Sequence, residues 1–304
     1  RTNAQSQAFE RAFVTLRIPY KLVGGVRFYD RKEVKDIIAY LHLIVNPNDV
    51  VALSRVINVP TRGIGEVSLQ RILNGDLSHL TPKTMKVFES FNKVLNDLRQ
   101  KYAVEASPAD IIEELLQKIA YRDYINDGDK LKAEEKNENL TVLIGEAGAY
   151  STLDEFLADA ALMSSTDESV GENAVTLMTL HAAKGLEFPV VFLVGMEEGL
   201  LPHVRSMDES ADDIEEERRL TYVGMTRAMQ ELYLTYAMSR YSFGGKSYNF
   251  PSRFLQDLGF DPYGLSNSEK ELLSDDDEFG EDDFRDGWDS DGGDPFPSDG
   301  PIYC

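Results

Sequence analysis

Cysteine occurs once, as the final residue Cys304, which excludes an internal disulfide framework and suits a reducing compartment. Long apolar runs are missing too. None approaches the roughly 18 residues a membrane-spanning helix needs, and the opening Arg1-Thr-Asn-Ala-Gln-Ser6 lacks the apolar core of a signal peptide. Both absences point to the cytoplasm. The four histidines, His42, His79, His181 and His203, lie without ligand spacing, so no metal site is expected. Basic charge is also scarce, with 31 Lys and Arg against 53 Asp and Glu and a net charge of −22. Between Ser266 and Cys304 there are 14 acidic and 2 basic residues, so that segment accounts for −12 and the rest of the chain carries −10. Any polyanionic partner must therefore be held by local basic and backbone groups, with a strong dependence on salt.

A phosphate-binding P-loop is absent as well. It needs Gly-x-x-x-x-Gly-Lys-Ser/Thr, so that backbone amides cradle the phosphates and the lysine reaches the outer ones. The sequence offers only Gly245-Lys246-Ser247, with Arg240 where the first glycine is required, in a segment that reads as a hairpin turn. No acidic pair ends a hydrophobic strand to hold Mg²⁺. Asp154-Glu155 lies in a helical pattern, and Asp167-Glu168 and Asp208-Glu209 lie in segments that read as polar loops.

What is present suffices for a sizeable core, since 42% of the 304 residues are hydrophobic, and the length suggests two domains. Gln7 to Leu16 is helical in pattern, and Tyr20 to Val23 reads as a strand closed by Gly24-Gly25. The first residues resemble the end of a strand entering a helix, which is expected of a piece of a longer chain. From Arg31 to Val45, Val34, Ile37, Ile38, Leu41 and Ile44 keep a helical period that stops at Asn46-Pro47. Thr81-Pro82 opens a helix with Met85, Phe88, Phe91, Leu95 and Leu98 on one face, and Ser107-Pro108 opens another. Thr152-x-x-Glu155 is a capping box for a further helix. After Asn173 the regime changes. Val175 to Leu180, Val190 to Val194 and Leu232 to Tyr236 read as strands around a helix from Glu215 to Gln230, an alternation that implies a parallel sheet. The tail has few aliphatic residues and cannot bury enough apolar surface to order itself.

Two stretches carry candidate chemistry. Thr179-Leu-His-Ala-Ala-Lys-Gly-Leu-Glu-Phe-Pro189 joins two strands and sets His181, Lys184, Gly185 and Glu187 at a sheet edge, where α/β folds present groups to ligands. The same residues also suit a plain connecting turn. Glu215-Glu-Glu-Arg-Arg-Leu-Thr-Tyr-Val-Gly-Met-Thr-Arg-Ala228 places Arg219, Val223 and Arg227 on one helical face. Arg227, near the helix C-terminus among the small residues Gly224, Thr226 and Ala228, has room to reach into a cleft. A surface ladder between Glu215, Glu216, Glu217 and the arginines Arg218 and Arg219 is the alternative. A third stretch, Thr61-Arg-Gly-Ile-Gly65, lies between two helical patterns, and its glycines allow backbone N–H groups to approach a phosphate closely. It also suits a plain glycine-rich connector.

Together the first two stretches resemble motifs V and VI of superfamily 1 DNA helicases of the UvrD/PcrA/Rep type. The opening Arg1-Thr-Asn-Ala-Gln-Ser6 and Gly24-Gly-Val-Arg-Phe-Tyr-Asp-Arg-Lys-Glu-Val-Lys-Asp36 resemble the run before that family's inserted domain, and Pro60-Thr-Arg-Gly-Ile-Gly65 resembles its duplex-contacting loop. The resemblance implies an α/β fold. A RecA-like second motor domain, residues 1–33 and 173–255, is interrupted by an all-helical accessory domain, residues 34–172, and followed by a disordered acidic tail, residues 256–304. It implies the C-terminal half of an ATP-dependent 3′-to-5′ DNA helicase. ATP and Mg²⁺ would be the cofactors, with the Mg²⁺ ligands in an N-terminal half, and single-stranded DNA and duplex–single-strand junctions the partners. Arg227 would be the arginine finger, Gly185 and Glu187 would meet the nucleotide, and His181, Arg1, Thr2 and Asn3 the single strand. Arg62, Gly63, Ile64 and Gly65 would meet the duplex. Ala182 stands where Ser is usual and Gln7 where Arg is frequent. Without an upstream P-loop, the chain would instead be a non-catalytic DNA-binding or regulatory module. In the tail, Phe279, Phe284, Trp288, Phe296 and Tyr303 are interleaved with acids, which suits mimicry of nucleic acid or docking onto a protein partner, and a solvated tail that only aids solubility is the alternative.

Overall fold

The computed structural model describes residues 2–126, 128–164, 173–209, 211–242 and 245–260. Arg1, the Asp167-Glu168 pair and the acidic tail beyond residue 260 lie outside the described residues.

The chain opens with α1 (Ser6–Leu16), β1 (Tyr20–Val23) and α2 (Lys32–Val45). It continues through α3 (Val50–Val56), α4 (Glu66–Leu73), α5 (Pro82–Ala103), α6 (Pro108–Lys118), α7 (Tyr121–Ile125), α8 (Lys130–Ala147) and α9 (Leu153–Ser164). The helix starts follow the capping chemistry. The Thr81 hydroxyl accepts the Thr84 N–H at 3.2 Å, Ser107 accepts from Asp110 at 3.1 Å, and Thr152 accepts from Glu155 at 3.3 Å. Proline follows the first two caps, where its missing N–H costs no hydrogen bond. The apolar stripes then meet in one core. Val34, Ile37, Tyr40, Leu41 and Ile44 of α2 pack with Phe88, Phe91, Leu95 and Leu98 of α5, and with Ile111, Leu115, Leu140, Leu143 and Phe156. Met85 is only half-buried, at the outer edge of its stripe.

Strands follow the helices. β2 (Val175–Met178) pairs in parallel with β1, from Tyr20 opposite Val175 to Val23 opposite Met178. β3 (Phe188–Val194), α10 (Val204–Glu209), α11 (Ala211–Met225) and β4 (Ala228–Thr235) come next, and β3 and β4 pair in parallel. The strands β5 (Ser239–Ser242) and β6 (Gly245–Tyr248) form an antiparallel hairpin, so Gly245-Lys246-Ser247 belongs to a strand. The described residues up to Phe254 form one unit, and residues 255–260 belong to a second. Of the second, residues 255–260 turn back on themselves, with the Leu258 N–H on the Leu255 carbonyl at 3.1 Å.

Two expectations need correction. The helix expected to run to Gln230 ends at Met225, and β4 begins at Ala228. Residues 226 and 227 are diverted because the Phe188 N–H bonds the Arg227 carbonyl at 2.9 Å, drawing the chain into the ladder. Asp208-Glu209 closes α10 and is not in a loop. No helix among the described residues is long and apolar enough to cross a membrane.

Candidate nucleotide and nucleic-acid site

The turn after β2 and the turn after α11 meet at the start of the β3–β4 ladder. Leu180 to Gly185 forms the first turn, closed by the Ala183 N–H on the Thr179 carbonyl (3.1 Å) and the Leu186 N–H on the Ala183 carbonyl (3.1 Å). Gly185 has φ +84°, a conformation that side chains rarely adopt, so glycine is required there. Across from it, Arg227 turns its guanidinium back on α11. Its Nε donates to the Val223 carbonyl at 2.9 Å, one Nη to the Leu186 carbonyl at 3.0 Å and the other to the Thr226 hydroxyl at 3.1 Å. A cation on the last carbonyls of a helix caps the negative end of its dipole. A guanidinium carries five N–H groups, so one on each Nη remains after these bonds. Two N–H groups left on one planar guanidinium suit a phosphate, and Arg227 is half-exposed beside the exposed Glu187. The donor chemistry therefore fits a nucleotide phosphate.

Gly224 makes this approach possible. A Cβ there would stand 2.4 Å from Leu180 Cδ2 and 3.3 Å from Leu193 Cδ1, so α11 seats directly on the first turn and on β3. Arg218 and Arg219 take the bland role, pairing with Glu215 at 2.6 Å and Glu216 at 3.1 Å. His181 is exposed on the first turn, and a Cβ on Gly24 would meet Ala182 Cβ at 3.3 Å.

Thr2 and Asn3 fall elsewhere. Their turn is closed by the Thr2 N–H on Gln5 Oε1 (3.0 Å), and Gln5 Nε2 lies 2.8 Å from where a Cβ on Gly195 would be. Gly195 follows the far end of β3, so about 20 Å of strand separates this group from Arg227 and Glu187.

The Thr61–Gly65 loop is built differently from the expectation. Gly63 has φ +71° and is exposed, as is Gly65. Arg62, however, points inward. Its Nη1 donates to the carbonyls of Val56 (3.0 Å), Ile57 (3.0 Å) and Pro60 (3.2 Å), its Nη2 donates to the Tyr40 hydroxyl (2.7 Å), and the guanidinium lies 5.0 Å from the Phe91 ring centre. Ile64 is buried, and its backbone is held on both sides by the Asn58 amide. The loop thus offers the backbone of Gly63 and Gly65 outward, while Arg62 and Ile64 fix its shape.

Glu197 was not singled out by the sequence reading. It is fully buried and accepts from Arg240 Nε (2.8 Å) and Nη2 (2.6 Å), Asn249 Nδ2 (2.8 Å) and the Ala237 N–H (2.8 Å). The hydrogen bond that Arg240 donates to Glu197 raises the Arg240 pKa. Glu198 takes the Arg253 N–H at 2.6 Å and its Nη2 at 2.8 Å. These two glutamates tie residues 237–253 to the end of β3. Contrary to the expectation of no acidic pair at the end of a hydrophobic strand, Glu197-Glu198 stands just beyond β3, but its oxygens are spent on Arg240, Asn249, Arg253 and the Ala237 N–H.

The family model for the UvrD-like helicase C-terminal domain matches residues 1–239. The ATP-dependent DNA helicase PcrA of Bacillus subtilis (strain 168) is 42% identical over 301 residues, covering 89% of this chain and 40% of that protein. A PcrA helicase of Staphylococcus epidermidis is 41% identical over 283 residues, covering 85% of this chain and 38% of its own length. The chain thus spans about 40% of the length of these curated relatives. With a family match that begins at the first residue and includes both turns around Arg227, the chain belongs to the UvrD-like helicase C-terminal domain family.

Proposed function

We propose that this chain is the C-terminal part of an ATP-dependent DNA helicase that moves 3′ to 5′ along single-stranded DNA in the cytoplasm. In this reading residues 1–33 and 173–255 form a RecA-like second motor domain, residues 34–172 an accessory domain inserted in it, and residues 256–304 an acidic tail that docks a protein partner. The observation that carries the reading is the meeting of Arg227 with the Gly185–Glu187 turn, the guanidinium keeping one N–H on each Nη unspent. ATP, bound with Mg²⁺ against an N-terminal half, supplies the phosphoryl group on which charge develops. Arg227 stabilises that charge, and its bond to the Leu186 carbonyl fixes the direction from which it does so. Glu187 faces the ribose. His181 on the same turn, with Thr2 and Asn3 at the far end of β3, holds the single strand, and Arg1 belongs to the same contact. The Gly63 and Gly65 backbone meets the duplex, with Arg62 and Ile64 as its internal supports.

The test is steady-state ATPase with single-stranded DNA. The chain alone, lacking a P-loop, shows no turnover. Joined to an N-terminal half it shows DNA-stimulated turnover, which Arg227→Ala lowers by about 10³-fold or more with little effect on nucleotide binding. A loss below about tenfold removes Arg227 from the role.

A further inference from the structure

A chain of net charge −22 that binds DNA must keep some cations uncommitted. Most of its arginines and lysines are spent internally. Arg11, Arg31, Arg55, Arg205, Arg240 and Arg253 pair with carboxylates, and Arg62 is folded onto backbone carbonyls. The exposed face of α5 stands apart. Lys86 and Lys93 lie there, opposite the buried Phe88, Phe91, Leu95 and Leu98, with the exposed Lys83 on the flank at the first turn, and no carboxylate among the described residues pairs with any of the three. Other lysines without such a pair, Lys21, Lys130, Lys136 and Lys184, are dispersed over other elements.

The acids near this face are few. Glu89 is exposed between Lys86 and Lys93, and Asp97 is engaged by Lys118 at 3.2 Å. At 0.1 M salt charges are screened over about 10 Å, so the field felt by a ligand at α5 is set by these local groups and not by the chain's total. Helical rise places Lys83 and Lys93 about 15 Å apart. That length runs beside about four phosphates of one DNA strand at 3.4 Å each. α5 is anchored along its whole buried face, and Phe91 also packs on Arg62, so the stripe is rigidly mounted on the helix that braces the Thr61–Gly65 loop.

We infer that Lys83, Lys86 and Lys93 form a sequence-independent contact surface for the phosphate backbone of duplex DNA, separate from the Gly63–Gly65 loop. This rests on the DNA-binding reading above. The surface is expected to add affinity without base preference, because the ammonium groups act as point charges on phosphates.

The test compares the 304-residue chain with its Lys83→Gln, Lys86→Gln, Lys93→Gln triple variant for binding to a labelled blunt duplex between about 50 and 200 mM salt. The variant is expected to bind about tenfold more weakly at the low-salt end, with the slope of log K against log salt reduced by about 2 to 3. The matching triple Lys→Arg variant keeps both the affinity and the slope. Helix content by circular dichroism separates lost contacts from lost folding. A parent that binds duplex while the Gln variant keeps its slope to within about 0.5 overturns the inference and leaves the helicase reading standing. A parent that binds no duplex at any salt overturns both.

Discussion

The helical segment and the strand-bearing segment bury their side chains to different degrees. In the helical segment the largest residues are sealed, with Tyr40, Tyr121 and Phe156 at 0% exposure. In the β3–β4 pair α11 covers one face. On the other, Phe192 (62% exposed) stacks on Tyr233 (42% exposed) at 4.6 Å, with Val190 and Met229 also exposed. Parallel strands are ordinarily covered on both sides. The difference teaches that burial and the candidate chemistry are divided here. Stability is concentrated among the helices, while the strands hold their place through a few specific devices: the Gly224 contact, the Glu197 cluster and the Arg227 cap.

Three substitutions probe that division, in decreasing order of effect. Phe156→Ala removes a sealed ring from the shared core and should cost about 3–5 kcal/mol in urea unfolding. A cost below about 1 kcal/mol would mean that the helical core is not one cooperative body. Gly224→Ala sets helix propensity against crowding. It gains about 1 kcal/mol from the better helix former but drives a Cβ to 2.4 Å from Leu180 Cδ2, and overpacking costs about 1–3 kcal/mol. A net loss of about 1 kcal/mol is expected, with a shift in the Leu180 methyl resonances. A more stable protein with unmoved methyls would show that α11 does not seat on that turn. Phe192→Ala should cost less than about 1 kcal/mol, since the ring keeps most of its solvent exposure and loses mainly its stack on Tyr233. A loss near that of Phe156→Ala would show that this face is covered in solution.

Local chemistry made most elements legible. The Thr81, Ser107 and Thr152 caps and the spacing of Phe88, Phe91, Leu95 and Leu98 predict helices that the structure contains. The end of α11 was not legible, because the pattern through Gln230 is equally good for helix or strand. What stops it is tertiary: the Phe188 N–H claims the Arg227 carbonyl, and the strand ladder outbids another helical turn. The register of β3 on β4, with its irregularity between Phe188 and Val190, is likewise set by packing. Among the candidate site residues, Gly185, Glu187 and Arg227 were chosen from their motifs, and the fold places them at one corner. Arg62 was less legible. An arginine in a glycine-rich loop reads as a phosphate ligand, and only the fold reveals that the end of α3 leaves carbonyls that the same guanidinium satisfies.

The pairing of β1 with β2 has a kinetic meaning. Residues 24–174 stand between the paired strands, and every element among the described residues of that span is helical. Joining two strands across so long a tether in an unstructured chain carries an entropic cost, and few ladder bonds are gained in return. The helical core lowers that cost in advance. α2 begins soon after β1 and α9 ends shortly before β2, and both belong to the same cluster, so once the helices collapse the two strand segments are already held near each other. The expected order of folding therefore runs from the sealed core outward to the strands. On that expectation the corner around Arg227 takes its accuracy from helices that contribute none of its residues.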